Sequence, residues 1–259
     1  MTNIIVAIGG KNHTKLQNYE DILKLKPDSI DKEIVRLTEK NSPNFLFLGH
    51  ANPSEEQRNF EIVKSVYSKL NCNCKILKTN ELRDEDKVNN LIGLSDIIYV
   101  GGGNTINMIR LWKKTKFDEV LKKSWQSGKV MCGVSAGAGC WFKECTSDSL
   151  KILYGSDQPY IGVRCLGIMN YLFTPHCNEK ERLDEVKNIL KDNNLIGIAV
   201  SNEAAIEIID DKLKLIQNDN SEKNEKSFSL ISYWKDESFF EKYLEKDKVE
   251  YLNEIGKLS

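Results

Sequence analysis

The chain has 259 residues, 40% of them hydrophobic and 29% charged, with a net charge of -1. That is enough apolar material for one large α/β domain covering residues 1–259. The balance of charge gives no electrostatic case for nucleic acid as a partner. No apolar run reaches the roughly 18 residues that cross a bilayer, and the start of the chain lacks the basic and small-residue pattern of an export signal. The expectation is a cytoplasmic protein with no membrane partner.

In chain order, five short apolar runs have the β-branched and aromatic content of buried parallel strands: Ile4 to Ile8, Phe45 to Leu48, Ile97 to Val100, Val130 to Val134 and Ile196 to Val200. Helical patterns lie between them. Ser29 is the expected N-cap of Ile30 to Lys40, and Ser54 with Gln57 opens a helix through Lys69. Thr105 to Lys114, Phe117 to Ser127 and Lys180 to Lys191 follow. Strands alternating with helices predict a doubly wound, mostly parallel sheet of flavodoxin-like type, with ligands at the carboxyl ends of its strands. Beyond Val200, Ala205 to Ile209 and Leu213 to Ile216 flank Asp210-Asp211 as a β-hairpin, and Asn218 to Lys226 reads as a polar loop. Residues 235–259 are expected to form a helical appendage.

The segment KVMCGVSAGAGC carries the chemistry. An apolar strand runs into Gly133-Val134-Ser135-Ala136-Gly137, which fits G-x-S-x-G and precedes a helix-capable stretch. The small flanking residues permit a tight turn with Ser135 at its tip. The Ala136 N–H then opens a helix and faces a developing oxyanion. A second strand ends in Gly101-Gly102-Gly103. This loop lacks the lysine of a P-loop and the spacing of a dinucleotide fingerprint. It reads instead as a further source of oxyanion donors.

A serine hydroxyl needs a base near neutral pH. Of the three histidines, His176 follows the strand-like Tyr171 to Pro175 at a strand's carboxyl end, so it is the expected base; His50 is the runner-up, and His13 lies in a polar stretch. The seven cysteines, Cys72-x-Cys74 included, read as reduced thiols without zinc spacing. No metal or organic cofactor is called for.

GGGNT, then GVSAGA about thirty residues on, then a Pro-His after a further strand, together resemble peptidase E (aspartyl dipeptidase) and its relative cyanophycinase over roughly Ile97 to Ile209. The resemblance implies a class I glutamine amidotransferase-like fold with serine in place of cysteine. It implies a serine exopeptidase acting on small peptides, such as dipeptides with N-terminal aspartate. By the same resemblance, Ser135 is the nucleophile, His176 the base, and the N–H groups of Gly102, Gly103 and Ala136 the oxyanion hole. The acid that orients the histidine falls to Glu203, then Asp148; an ungapped match puts Asn202 there instead. Arg110, Arg164 and Arg182 are candidates to hold an acidic substrate. The rival readings are an α/β-hydrolase esterase, an amidotransferase-like subunit, and an idle metabolite-binding module on the same scaffold. A homodimer is left open.

Overall fold

The computed structural model describes residues 2–11, 18–193, 195–218 and 227–257. His13 and most of the polar loop expected from Asn218 to Lys226 lie outside these. The first half of the chain builds β1 (Ile4–Ile8), α1 (Tyr19–Lys24), α2 (Ser29–Arg36), β2 (Asn44–Leu48), α3 (Glu56–Tyr67), β3 (Asn73–Leu77), α4 (Glu85–Leu94), β4 (Ile97–Val100), α5 (Thr105–Thr115), α6 (Phe117–Gln126) and β5 (Val130–Val134). Next come α7 (Ala136–Gly139), β6 (Phe142–Ser147), α8 (Ser149–Tyr154), β7 (Ile161–Arg164), β8 (Met169–Thr174), α9 (Lys180–Asn193) and β9 (Gly197–Val200). The chain ends in β10 (Ala204–Ile209), β11 (Lys212–Gln217), β12 (Ser229–Lys235), β13 (Ser238–Tyr243), β14 (Val249–Tyr251) and α10 (Leu252–Ile255).

The strands form two sheets, in the orders β14-β11-β10-β1-β5-β4-β2-β3 and β13-β12-β9-β8-β6-β7. In the first, β1, β5, β4, β2 and β3 run parallel, and the β10–β11 hairpin continues from β1 antiparallel. The parallel strands are buried on both faces because the chain alternates two apolar sets. Ile4, Val6, Ile8, Phe45, Phe47 and Tyr99 pack under α2 and α3. Ile5, Ala7, Leu46, Leu48 and Ile98 pack with α5, α6 and the second sheet. The chain's path reverses between β2 and β4, where such folds place their ligands.

Four expectations need correction. The strand at Ile196 to Val200 belongs to the second sheet, between β8 and β12. Its apolar run says that it is buried, not which sheet buries it. Helix α2 is capped by Asp28, whose side chain takes the Asp31 N–H while Asp31 takes that of Asp28; Ser29 Oγ donates to the Gln217 carbonyl instead (2.8 Å). Ser54 likewise turns its hydroxyl to Asn52, and α3 starts at Glu56 without a side-chain cap.

The C-terminal segment, expected as a helical appendage over residues 235–259, is instead mainly strand. Asp236 and Glu237 both have positive φ, as a type I′ hairpin turn requires. They fold β13 back onto β12, setting Phe239 against Trp234 and Phe240 against Tyr233. These cross-strand aromatic pairs hold the segment extended. β14 pairs with β11, and among the described residues of this segment only Leu252–Ile255 is helical.

Candidate active site

β5 ends at Val134, and Ser135 follows with φ 55° and ψ -118°. A non-glycine residue there carries about 1–3 kcal/mol of strain, which its surroundings must hold in place. The Ser135 N–H donates to the Ile8 carbonyl (3.0 Å), and the Ser135 carbonyl accepts from Ala138 and Gly139 (3.0 and 2.9 Å). Gly137 must lack a side chain, since a Cβ there would overlap the backbone of Val100 and Gly101. Helix α7 therefore sits close against the end of β4. The hydroxyl is half-buried and faces a cavity.

His176 follows β8 at φ 50°, and its N–H donates to the Gly9 carbonyl (3.3 Å). Its Nε2 lies 2.9 Å from Ser135 Oγ. Its Nδ1 lies 2.6 Å from Asn202 Oδ1. Facing an amide oxygen, Nδ1 carries the proton, and Nε2 is left as the acceptor for the serine O–H. Gly10 forms the bed for this pair. It bridges to Asn202, and a Cβ on it would overlap both the Asn202 amide oxygen and the imidazole. Burial lowers the His176 pKa, with the nearby Arg182 acting in the same direction; the Asn202 bond, Glu179 and Asp148 oppose them. The imidazole is thus neutral at neutral pH, as a base must be.

The structure does not bring Glu203 or Asp148 to the imidazole. Glu203 follows Asn202 at φ 57°, and its carboxylate accepts from Asn218 Nδ2 (2.6 Å). Asn202 meets the histidine, whereas the neighbouring Glu203 carboxylate meets Asn218. Asp148 pairs with Arg182 (3.3 Å). Of the three arginines, Arg182 is buried, bonded also to Glu179 and laid over the Tyr160 ring, while Arg110 and Arg164 are exposed. None of the three lines the cavity. His50 is a packing residue: Trp112 Nε1 donates to its Nδ1 (2.9 Å), its Nε2 bonds the Leu77 carbonyl (2.9 Å), and burial lowers its pKa to about 4.

The Gly101–Gly103 loop runs beside the serine; a Cβ on Gly102 would lie 3.4 Å from that of Ser135. Ala136 opens α7, where the first N–H groups have no acceptor within the helix. Both donor sources therefore border the hydroxyl. No group of three or more His, Cys, Asp or Glu among the described residues could hold a metal. No described helix is long and apolar enough to cross a membrane.

The sequence profile of peptidase family S51 matches residues 23–216. The chain belongs to peptidase family S51. That makes it a serine peptidase by family, of the peptidase E type. Among S51-like relatives, the uncharacterised peptidase YgaJ of Bacillus subtilis (strain 168) is 30% identical over 213 residues, covering 81% of this chain and 84% of that protein. The uncharacterised peptidase Lin0382 of Listeria innocua is 27% identical over 126 residues, covering 46% and 58%. The fold is shared with the crystal structure of a peptidase from an acI-B1 Actinobacterium (TM-score 0.65, 18% identity, 97% of each chain). It is also shared with a peptidase E protein of Listeria monocytogenes EGD-e (TM-score 0.57, 17% identity, 84% and 99%).

What the sequence reading missed in this S51 site is its surroundings. The Gly9-Gly10 pair, at the carboxyl end of β1, was a signal in the right place. The cavity walls from α3, Phe47 and Tyr99 look like ordinary core periodicity until the fold assembles them.

Proposed function

We propose that this chain hydrolyses an amide bond of small peptides through an acyl-enzyme on Ser135. The observation that carries the reading is the 2.9 Å contact between Ser135 Oγ and the acceptor nitrogen of His176, at a strained turn open to a cavity. Ser135 Oγ bonds to the substrate carbonyl carbon while its proton passes to His176 Nε2. The oxyanion rests on the N–H groups of Gly102, Gly103 and Ala136, each such donor being worth about 3 kcal/mol. As the C–N bond breaks, Nε2 returns the proton to the leaving nitrogen. Water then repeats the sequence against the ester. Asn202 fixes the imidazole's tautomer and orientation, but it adds no charge to offset the imidazolium.

Two further features support a small-peptide enzyme of a reducing compartment such as the cytoplasm. The cavity, about 420 Å³, suits one or two amino-acid residues, and all seven cysteines are free thiols. Aspartyl selectivity would call for a cation facing the substrate, and the arginines nominated for that lie elsewhere.

Treatment of the purified chain with a fluorophosphonate probe tests the reading. Labelling should fall on Ser135, and Ser135→Ala should abolish both labelling and the hydrolysis of aminoacyl anilides while leaving the melting temperature within a degree or so. Turnover retained by the alanine variant would refute it.

A further inference from the structure

Asn202 offers the imidazole an amide oxygen where a carboxylate would offer both a hydrogen bond and an opposite charge. A neutral hydrogen bond is roughly half as strong as a charge-assisted one. The Asn202 side chain is therefore drawn less firmly to His176, and its place 2.6 Å from Nδ1 depends on how well its own backbone is held. That backbone lies in the turn between β9 and β10. Its N–H donates to the exposed Asn178 side chain (3.1 Å), and the residue bridges to Gly10. Its neighbour Glu203 supplies a second, buried hold.

Glu203 is fixed along its backbone and at its carboxylate. Its N–H donates to the Gly10 carbonyl (2.9 Å), its carbonyl accepts the Asn218 N–H (2.9 Å), and its carboxylate accepts Asn218 Nδ2 (2.6 Å). It is buried, and its φ of 57° is a conformation that a side chain makes costly. Asn218 is buried too, and its Nδ2 also reaches Asp28 (3.3 Å), the cap of α2. Lys11, the residue after Gly10, meets the same Asp28 oxygen (2.9 Å). Lys11 also meets Asp31, which accepts the Tyr67 hydroxyl (3.1 Å), and Tyr67 stands edge to face on Tyr99. A ring of contacts thus runs from Gly10 through Lys11, Asp28, Asn218 and Glu203 back to Gly10, anchored in α2 and in the cavity wall. Gly10 is the residue on which the Asn202 amide oxygen and the imidazole both rest.

From this closed ring we infer that Glu203, clamped by Asn218, is a positioning residue: it holds the Gly10–Asn202 bridge, and through it the amide that orients His176. The inference rests on the reading of His176 as the general base. Glu203 acts on geometry, not on the substrate. A buried carboxylate cannot leave its donors without a large desolvation cost, so the strained turn stays shut. The amide contact to the imidazole is then kept without help from charge.

The test compares Glu203→Gln, which keeps an acceptor for Asn218, with Glu203→Met, which keeps the length and removes it. kcat and KM are measured on aminoacyl anilides. The His176 Nδ1–H resonance is followed by NMR in 15N-labelled protein, where only three histidines need assignment. Glu203→Gln should stay within about 3-fold of the native chain and keep the resonance sharp. Glu203→Met should lower kcat by about 10-fold or more with KM within about 3-fold, and its Nδ1–H signal should broaden into exchange with water. Placed on Asn202→Asp, the same Glu203→Met change should cost less than about 3-fold, because a carboxylate at 202 holds the imidazole by charge. If Glu203→Met does not fold, Asn218→Ala breaks the same bond from the donor side and carries the same expectations. A Gln variant as poor as the Met variant, native kcat with an unchanged signal in the Met variant, or an equal loss in both backgrounds would overturn the clamp and leave Ser135 and His176 in place. If even the native chain cleaves no aminoacyl anilide, the peptidase reading is what fails, and the resonance still decides the clamp.

Discussion

Replacing Asn202 by aspartate probes the electrostatics of the site most directly. The amide oxygen already sits 2.6 Å from His176 Nδ1, so Asn202→Asp adds a unit negative charge with little change of shape. The centres of that charge and of an imidazolium would be roughly 4 Å apart, worth about 4 kcal/mol at an effective dielectric near 20. That is about 3 pKa units at most, and the half-exposed setting brings the expected rise to about 1–3 units. In the native chain, burial and Arg182 hold the His176 pKa below the ordinary histidine value of 6.5, so kcat/KM should stay high to below that pH. In the variant the acidic limb should move upward by the same 1–3 units, because the histidine must now be deprotonated at a higher pH. Its high-pH plateau should rise by about 3- to 30-fold, taking half of the added basicity into the proton-transfer step. The two profiles should therefore cross, with the native chain faster in mild acid and the variant faster in mild base. A full pH–rate series on one good substrate measures both effects. Coincident acidic limbs would show that residue 202 does not face the working imidazole, and the site geometry would be refuted.

Gly10→Ala places a methyl group where the Asn202 amide oxygen and the imidazole already meet. It should lower kcat by about 100-fold or more by displacing the base, with a smaller effect on KM; a variant of native activity would mean that this bed is not needed. A separate prediction concerns stability. Glu207 on β10 is buried against Glu33, and burial, then the bond to and repulsion from Glu33, raise its pKa from 4.5 to about 7. Its neutral form is the one the fold prefers. The cost of ionising it is absent below about pH 4.5, grows as pH rises, and levels off above pH 7 at about 3 kcal/mol. Glu207→Gln keeps a donor for Glu33 and should raise the melting temperature by several degrees at pH 8 but not at pH 4.5; an equal gain at both values would sink the argument.

Sequence and structure agree best where the chemistry is local. G-x-S-x-G after an apolar strand is one continuous segment, and its small residues answer to contacts within a few ångströms, so Ser135 was legible. His176 was legible because few histidines exist and one stands at a strand's end. The histidine's partner was not. Asn202 and Glu203 are neighbours, and the bridge of Asn202 to Gly10, far away in the chain, goes with its place at the imidazole; no composition or periodicity encodes that choice. The tail misled for a related reason. Phe239 and Phe240 suit a helix face or a strand equally well, and only Tyr233 and Trp234 across the hairpin resolve it.

The amino-acid order alone thus determined the alternation of strands and helices, the half-buried hydroxyl at the end of β5 and the histidine just beyond β8, since each depends on residues adjacent in the chain. The tertiary structure decided the second sheet, the place of Asn202 against the imidazole and the aromatic cavity. Those arise where residues far apart in sequence, Lys11 with Asp31, Tyr67 with Tyr99, Gly10 with Asn202, are brought within contact of one another, and their charges and volumes acquire meaning only there.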